Sequence, residues 1–298
     1  MPPGPRPRRV GIVGYARYDA LEDTLERLLD FASGAEMDVF LEPGLMRGEG
    51  PARPLLPEVT PTLDLLVTLG GDGTLLRGAR MVAPHGIPVL GINLGRLGFL
   101  TSISPEEMED GLRALLDARI ELDQRMVLQV EARTAAGHKH GEFLALNDVV
   151  LHRGGVARMV RMRMHANGEE VATYSADGII LSTPTGSTAY SLSAGGPIVA
   201  PAVDCIIATP ICPHTLAVRP LVLPAAETVT VEVLSPQEEL ILTIDGQQAA
   251  RLTPGDRLVV CRAEAPLRLV RFPGQTFFST LRRKMAWGDL EERAKREL

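Results

Sequence analysis

The chain has 298 residues, 45% hydrophobic and 23% charged, with 31 lysines and arginines against 37 acids and a formal charge of −6. This is the composition of an ordinary globular protein, long enough for two hydrophobic cores and too acidic to grip a nucleic acid backbone, so no nucleic acid partner is expected. Three cysteines, Cys205, Cys212 and Cys261, make no framework, which argues against a disulfide-stapled secreted domain and for a cytoplasmic location.

The opening "MPPGPRPRRV" carries basic residues with no apolar run behind them, so no signal peptide is expected, and no stretch is long enough to span a membrane. "RVGIVGY" (9–15) reads as a buried strand. Leu21, Leu25, Leu28 and Leu29 then fall at helical spacing, and "MDVFLE" (37–42) reads as the next strand. "LDLLVTL" (63–69) is continuously apolar, the mark of a strand covered on both faces. A helix from about Thr74 to Val82, closed by Pro84-His85-Gly86, leads to the strand "IPVLGIN" (87–93). Ser104, Pro105 and Glu107 form a capping box with proline at the first helical position. Met108, Leu112, Leu115 and Leu116 mark the buried side of the helix it opens. Strand and helix in alternation imply a parallel sheet flanked by helices, with ligands at the carboxyl ends of the strands.

From about Leu122 the period changes to two. "RMVLQVEA" (125–132), "RMVRMRMHA" (158–166), "TVTVEVLS" (228–235), "ELILTID" (239–245) and "DRLVVCR" (256–262) all alternate. Asn167-Gly168 between two such runs signals a hairpin. Thr276 to Leu298 reads as helical and is expected to return to the first domain. The expected fold is therefore an α/β N-terminal domain with a parallel sheet, residues 1–122 completed by about 274–298. A β-rich, antiparallel, sandwich-like domain spans 123–273.

Several phosphate and catalytic signatures are absent: there is no G-x-x-x-x-G-K-[ST], no G-x-G-x-x-G, no protein-kinase catalytic loop and no G-x-S-x-G elbow. What remains is "GGDGT" (70–74) at a strand end. Bare backbone amides at Gly70, Gly71, Gly73 and Thr74 suit a phosphate, yet Asp72 among them would repel one. Either Asp72 merely caps the following helix, or it is there for chemistry. Arg77, one turn on, either faces the same anion or is solvated. A second glycine-rich run, "YSADGIILSTPTGSTAYSLSAGGPIV" (174–199), offers hydroxyls and amides suited to ribose hydroxyls and a purine edge. "LNDVVLH" (146–152) contributes Asn147-Asp148, which taken alone could be only a turn. No ligand set at metal-binding spacing is evident.

Together these three elements, in this order, resemble the NAD kinases. The match continues through "NLGRLGFLT" (93–101), "TPICPHTL" (209–216), "RPLVLP" (219–224), "DGQ" (245–247) and "LRRKMAWG" (281–288), so it covers nearly the whole chain after the first strand. The GGDG core alone is shared with lipid kinases and phosphofructokinases; the long serine-glycine run after an N-D pair is more specific. The resemblance implies phosphorylation of the adenosine ribose 2′-hydroxyl of NAD, with ATP or polyphosphate as donor and Mg²⁺ carried by the nucleotide rather than by a protein cage. It implies a homo-oligomer, a dimer or tetramer, with NAD bound between the domains; with aromatics at 4% and no basic amphipathic helix, no membrane partner is expected. Asp72 is then the proton acceptor, with Gly73 and Arg77 beside it. Asn147 and Asp148 meet the dinucleotide, Asp148 at a ribose. Thr188, Ala189, Tyr190 and Ser193 surround the adenosine, with Ser191 and Leu192 in the same run. Asp177 lies toward the nicotinamide riboside, and Arg158, Ser175 and Gln247 occupy positions that can touch NAD. Two departures stand out: many members have Glu at Asp148, and some bacterial members have Arg at Ser175. A lipid kinase of the diacylglycerol or sphingosine type, sharing the GGDG turn, and a non-catalytic dinucleotide sensor are the alternatives.

Overall fold

The computed structural model describes residues 6–46, 51–96, 98–154, 159–215, 217–235 and 239–285. The chain divides into two compact units. One comprises the residues up to Gln124 together with those from Leu267 onward; the other runs from Arg125 to Pro266.

Strand and helix alternate at first: β1 (Arg9–Gly14), α1 (Leu21–Gly34), β2 (Asp38–Leu41), β3 (Arg53–Pro54), β4 (Leu65–Leu69), α2 (Asp72–Val82), β5 (Val89–Ile92), α3 (Met108–Leu116) and β6 (Glu121–Arg125). Then come β7 (Leu128–Arg133), β8 (Lys139–Ala145), β9 (Asp148–Arg153), β10 (Val160–Ala166), β11 (Glu169–Ala176) and β12 (Gly178–Ser182). A short α4 (Tyr190–Ser193) precedes β13 (Cys205–Ile211), β14 (Leu221–Pro224), β15 (Val229–Val233), β16 (Leu240–Ile244), β17 (Gln247–Leu252) and β18 (Arg257–Arg262). β19 (Leu267–Arg271) and α5 (Phe277–Met285) follow.

In the first unit one sheet runs β3-β2-β1-β4-β5-β19-β6, with parallel pairing from β3 through to β19. The strands step outward from β1 to β3, and the chain then returns to the other side of β1 as β4. The order therefore reverses between β1 and β4, where such sheets place their ligands. All five residues of β4 are buried. Leu65, Val67 and Leu69 join Leu21 and Leu28 of α1 and Met108 and Leu112 of α3 in one cluster. Leu66 and Thr68 take the opposite face, where Gly78 lets α2 approach so closely that a Cβ there would lie 2.9 Å from each. The capping box at Ser104 and Glu107 forms, and its first turn is a 3₁₀ turn, Pro105–Glu107, so α3 proper begins at Met108. α5 buries Leu281 and sets the Lys284 ammonium 4.9 Å from the centre of the Phe99 ring. The rest of the expected C-terminal helix lies outside the described residues.

The second unit is a sandwich of two antiparallel sheets, β11-β10-β15-β18-β7-β8 and β14-β13-β12-β9-β16-β17. Alternate residues of both enter a single core: Leu128, Val130, Met162, Met164, Val231 and Val260 from one, Val149, Leu151, Ile179, Leu181, Leu240 and Leu242 from the other. Asn167 and Gly168, both at positive φ, make the expected β10–β11 hairpin. Among the described residues no helix is long and apolar enough to cross a membrane.

Candidate functional site

The GGDG turn leaves the end of β4 beside the end of β1, at the point where the strand order reverses; Tyr15 N donates to Leu69 O at 3.1 Å. Its glycines differ in purpose. A Cβ on Gly70, which has φ 155°, would fall 2.3 Å from Thr74 Oγ1, so the fold itself demands glycine there. A Cβ on Gly73 would meet nothing within 4 Å. Glycine at 73 is not required by the protein's own packing, and the residue stands exposed on the first turn of α2.

Asp72 is half-buried and is not the helix cap. The cap position belongs to Gly71, and Asp72 is the first residue of α2. Its carboxylate turns instead to the loop after β5. Phe99 N donates to Oδ2 at 2.7 Å, and Leu100 N and Thr101 N donate to Oδ1 at 3.1 and 3.3 Å. A carboxylate has about four acceptor positions, so one remains, on Oδ2. Gly98 makes this cradle possible, because a Cβ there would lie 1.7 Å from Asp72 Oδ1. Arg271 of β19 holds the same loop from its other side, Nη2 to Phe99 O at 3.0 Å and Nη1 to Thr101 O at 3.4 Å. Arg77 pairs with Glu42, and its Nη2 also donates to Gly14 O at 2.9 Å. Its donors thus tie α2 to the ends of β1 and β2.

In the second unit strand parity builds a second feature. Val149 and Leu151 of β9 enter the sandwich core, so Asp148, Val150 and His152 share the opposite face; Thr243 of β16 joins them. This face carries a cavity of about 920 Å³, lined also by Asn147, Arg153, Asp177, Ala189, Tyr190, Ile211 and Asp245. Arg153 forms an ion pair with Asp177 at 3.2 Å, and Tyr190 is 47% exposed. The turn at Asn147-Asp148 is built from outside itself. Thr183 Oγ1 donates to Leu146 O at 2.6 Å and accepts Gly186 N at 3.0 Å; a Cβ on Gly186 would lie 2.0 Å from Asn147 O. Asp245, in the β16–β17 turn at φ 47°, accepts the amides of Leu146, Asn147 and Asp148 on Oδ1 at 3.1, 2.7 and 3.2 Å. Asp148 is only 4% exposed; burial first, and the Asp245 charge second, push its carboxyl up to about 7.

Of the residues nominated from sequence in this half, Asn147, Asp148, Asp177, Ala189 and Tyr190 line the cavity. Ser191 is fully buried, and its hydroxyl pairs with Thr209 Oγ1 at 3.0 Å. Ser175 lies on β11 opposite Arg161, its carbonyl accepting His214 N at 3.0 Å. Thr188 Oγ1 donates to Thr185 O at 3.3 Å, while Leu192 and Ser193 end α4 and Gln247 opens β17; none of the four is a cavity wall. Arg158 lies outside the described residues. Much of the hydroxyl-rich run serves its own fold: Ser187 Oγ donates to Pro184 O at 2.6 Å and accepts Val199 N at 3.0 Å, since a buried loop must satisfy its amides internally. Sequence reading gave no role to Gly98, His152, Arg153 or Asp245. The alternation along β9 is the signal that finds His152, and the Asp-Gly turn before β17 is the one that finds Asp245. Among the described residues no three His, Cys, Asp or Glu side chains cluster as a metal site.

The family model described as the ATP-NAD kinase N-terminal domain matches residues 50–120, and that of the ATP-NAD kinase C-terminal domain matches residues 146–272. An NAD kinase of Gemmatimonas aurantiaca is 50% identical over 287 residues, 96% of this chain and 98% of that protein. The crystal structure of yeast NADH kinase complexed with NADH superposes with a TM-score of 0.87 at 28% identity, over 95% of this chain and 88% of that one. An NAD kinase from Archaeoglobus fulgidus in complex with ATP gives a TM-score of 0.73 at 28% identity, over 93% and 98%.

Proposed function

The chain belongs to the NAD kinase family and is a phosphotransferase acting on NAD, and on that premise we propose that Asp72 receives the adenosine ribose 2′-hydroxyl that captures a phosphoryl group. ATP is the donor: its terminal phosphorus bonds to the 2′-oxygen as its bond to the β–γ bridging oxygen breaks, ADP leaves, and NADP is the product.

The observation that carries this reading is the posture of Asp72: three backbone amides fix the carboxylate, and one acceptor position on Oδ2 is left over. Phosphoryl transfer passes through a loose transition state, so the protein's work is alignment and charge neutralisation. A fixed carboxylate aligns a hydroxyl by accepting its hydrogen bond. It takes the proton as the oxygen–phosphorus bond forms, when the hydroxyl has become acidic enough to give it up. The repulsion between Asp72 and the donor's phosphates is offset by the amides at the start of α2 and by the positive end of that helix. Open space at Gly73 leaves those amides approachable.

In the cavity of the second unit, Asn147 and Asp148 meet the dinucleotide, Asp148 at a ribose diol, and Tyr190 and Ala189 take the adenine. Asp177 lies toward the nicotinamide end. Mg²⁺ enters as part of the nucleotide substrate. Family membership also leads us to expect a cytoplasmic homo-oligomer of two or four copies, which sedimentation would count. Incubating the purified protein with Mg²⁺ and ATP, or polyphosphate, and either NAD or diacylglycerol tests the reading. NADP must form in the NAD arm. A phosphorylated lipid, or tight NAD binding without turnover, would overturn it.

A further inference from the structure

This inference rests on the reading of the second unit's cavity as the NAD subsite. We infer that Asp245 is a positioning residue for that subsite: it fixes the Asn147–Asp148 turn and selects the charge form in which Asp148 meets the ribose.

The geometry has two separable parts. Asp245 reaches back across about 100 residues of chain to this turn. Its Oδ1 alone accepts Leu146 N, Asn147 N and Asp148 N, and Oδ2 adds a second contact to Leu146 N at 3.2 Å. The turn returns one bond, Asp148 O accepting Asp245 N at 2.9 Å. Three consecutive amides converging on one oxygen hold both side chains that face the substrate.

The second part is electrostatic. Asp148 is buried, and Asp245 accepts its backbone amide at 3.2 Å; the Asp245 charge adds to burial in holding the Asp148 proton. The other ionisable groups around the cavity are His152 and Arg153 on β9, Asp177 before β12 and Tyr190 on α4. Arg153 is already paired with Asp177. Ser182, opposite Asp148 on β12, is neutral. Asp245 therefore both touches the turn and opposes ionisation of Asp148. A ribose diol donates best to the ionised form, so binding should strengthen as Asp148 loses its proton.

Asp245→Asn separates the parts. Asparagine tolerates the left-handed backbone at this position and keeps Oδ1 for the three amides, but removes the charge. KM for NAD in the unaltered enzyme should rise about tenfold from pH 8 to pH 6, as expected for a required ionised group titrating near 7. In Asp245→Asn the midpoint of that rise should move to lower pH, with the change falling on KM rather than kcat. Asp245→Ala, which also frees the turn, should raise KM for NAD at every pH. A residue that served only the fold would leave the midpoint where it was, so an unmoved midpoint in Asp245→Asn overturns the inference. Asp148→Ala guards the premise: if that change leaves NAD binding by calorimetry intact, the cavity is not the NAD subsite. If it abolishes binding while Asp245→Asn leaves the midpoint in place, the subsite stands and only the role of Asp245 falls.

Discussion

Burial of Asp148 makes the stability of the fold depend on pH. Its carboxyl titrates at 3.8 in an open chain and at about 7 in the fold. Between those values the folded protein holds a proton that the unfolded chain has released. Stability contributed at this position therefore falls as pH rises from about 4 to about 7, and stays low above. With one pH step worth about 1.4 kcal/mol, the penalty approaches about 4 kcal/mol at pH 8 and is about 2 kcal/mol at pH 5. Asp148→Asn removes the titration and keeps the shape. How well the amide is accommodated sets a constant offset, but the pH-dependent part belongs to the lost proton. Relative to the unaltered protein, the variant should gain roughly 2 to 3 kcal/mol between pH 5 and pH 8. Urea unfolding followed by far-ultraviolet circular dichroism at both pH values measures this. A difference that does not change with pH, or one that shrinks toward pH 8, refutes the reasoning.

Gly98→Ala would put a methyl 1.7 Å from Asp72 Oδ1. The carboxylate must leave its amides, and steady-state assays should find turnover reduced by at least tenfold, with the circular dichroism of the protein retained. Gly73→Ala meets nothing within 4 Å and adds helix propensity, so the unfolding free energy followed by thermal melting should be unchanged or raised by about 1 kcal/mol. The same variant should lose kcat/KM for the nucleotide if ligand approaches there. Unaltered kinetics would mean that Gly73 faces no substrate.

Local order was largely legible in the sequence because it is written in local signals. The apolar run of β4, the capping box at Ser104 and the Asn167-Gly168 turn each sit within a few residues of what they determine. The GGDG turn could be assigned to a strand end for the same reason. What it does with Asp72 could not, because the three amides come from residues 99–101, positioned by the return of β19 beside β5. Likewise Arg77 could be read as solvated or anion-facing, since its partner Glu42 lies 35 residues away beyond a crossover. Taken alone, the Asn147-Asp148 pair can be only a turn, and it is the resemblance that puts Asp148 at a ribose. Its place on the outward face of β9 follows only once the parity of that strand is known, and its burial only once Thr183, Gly186 and Asp245 are packed around it. The serine-rich run offers hydroxyls that suit a ligand, but Ser187 is occupied with Pro184 and Val199 and Ser191 with Thr209. Hydroxyl density marks a loop that must satisfy itself as readily as one that receives a ligand.

The most direct test is single-turnover phosphorylation of NAD by Asp72→Asn beside calorimetric titration of the same variant with NAD. An amide keeps the size of the side chain but cannot take the hydroxyl proton, so the rate should drop by about 10² to 10⁴ while the dinucleotide still binds. If the variant phosphorylates NAD at close to the original rate, the acid in the glycine turn is not the proton acceptor.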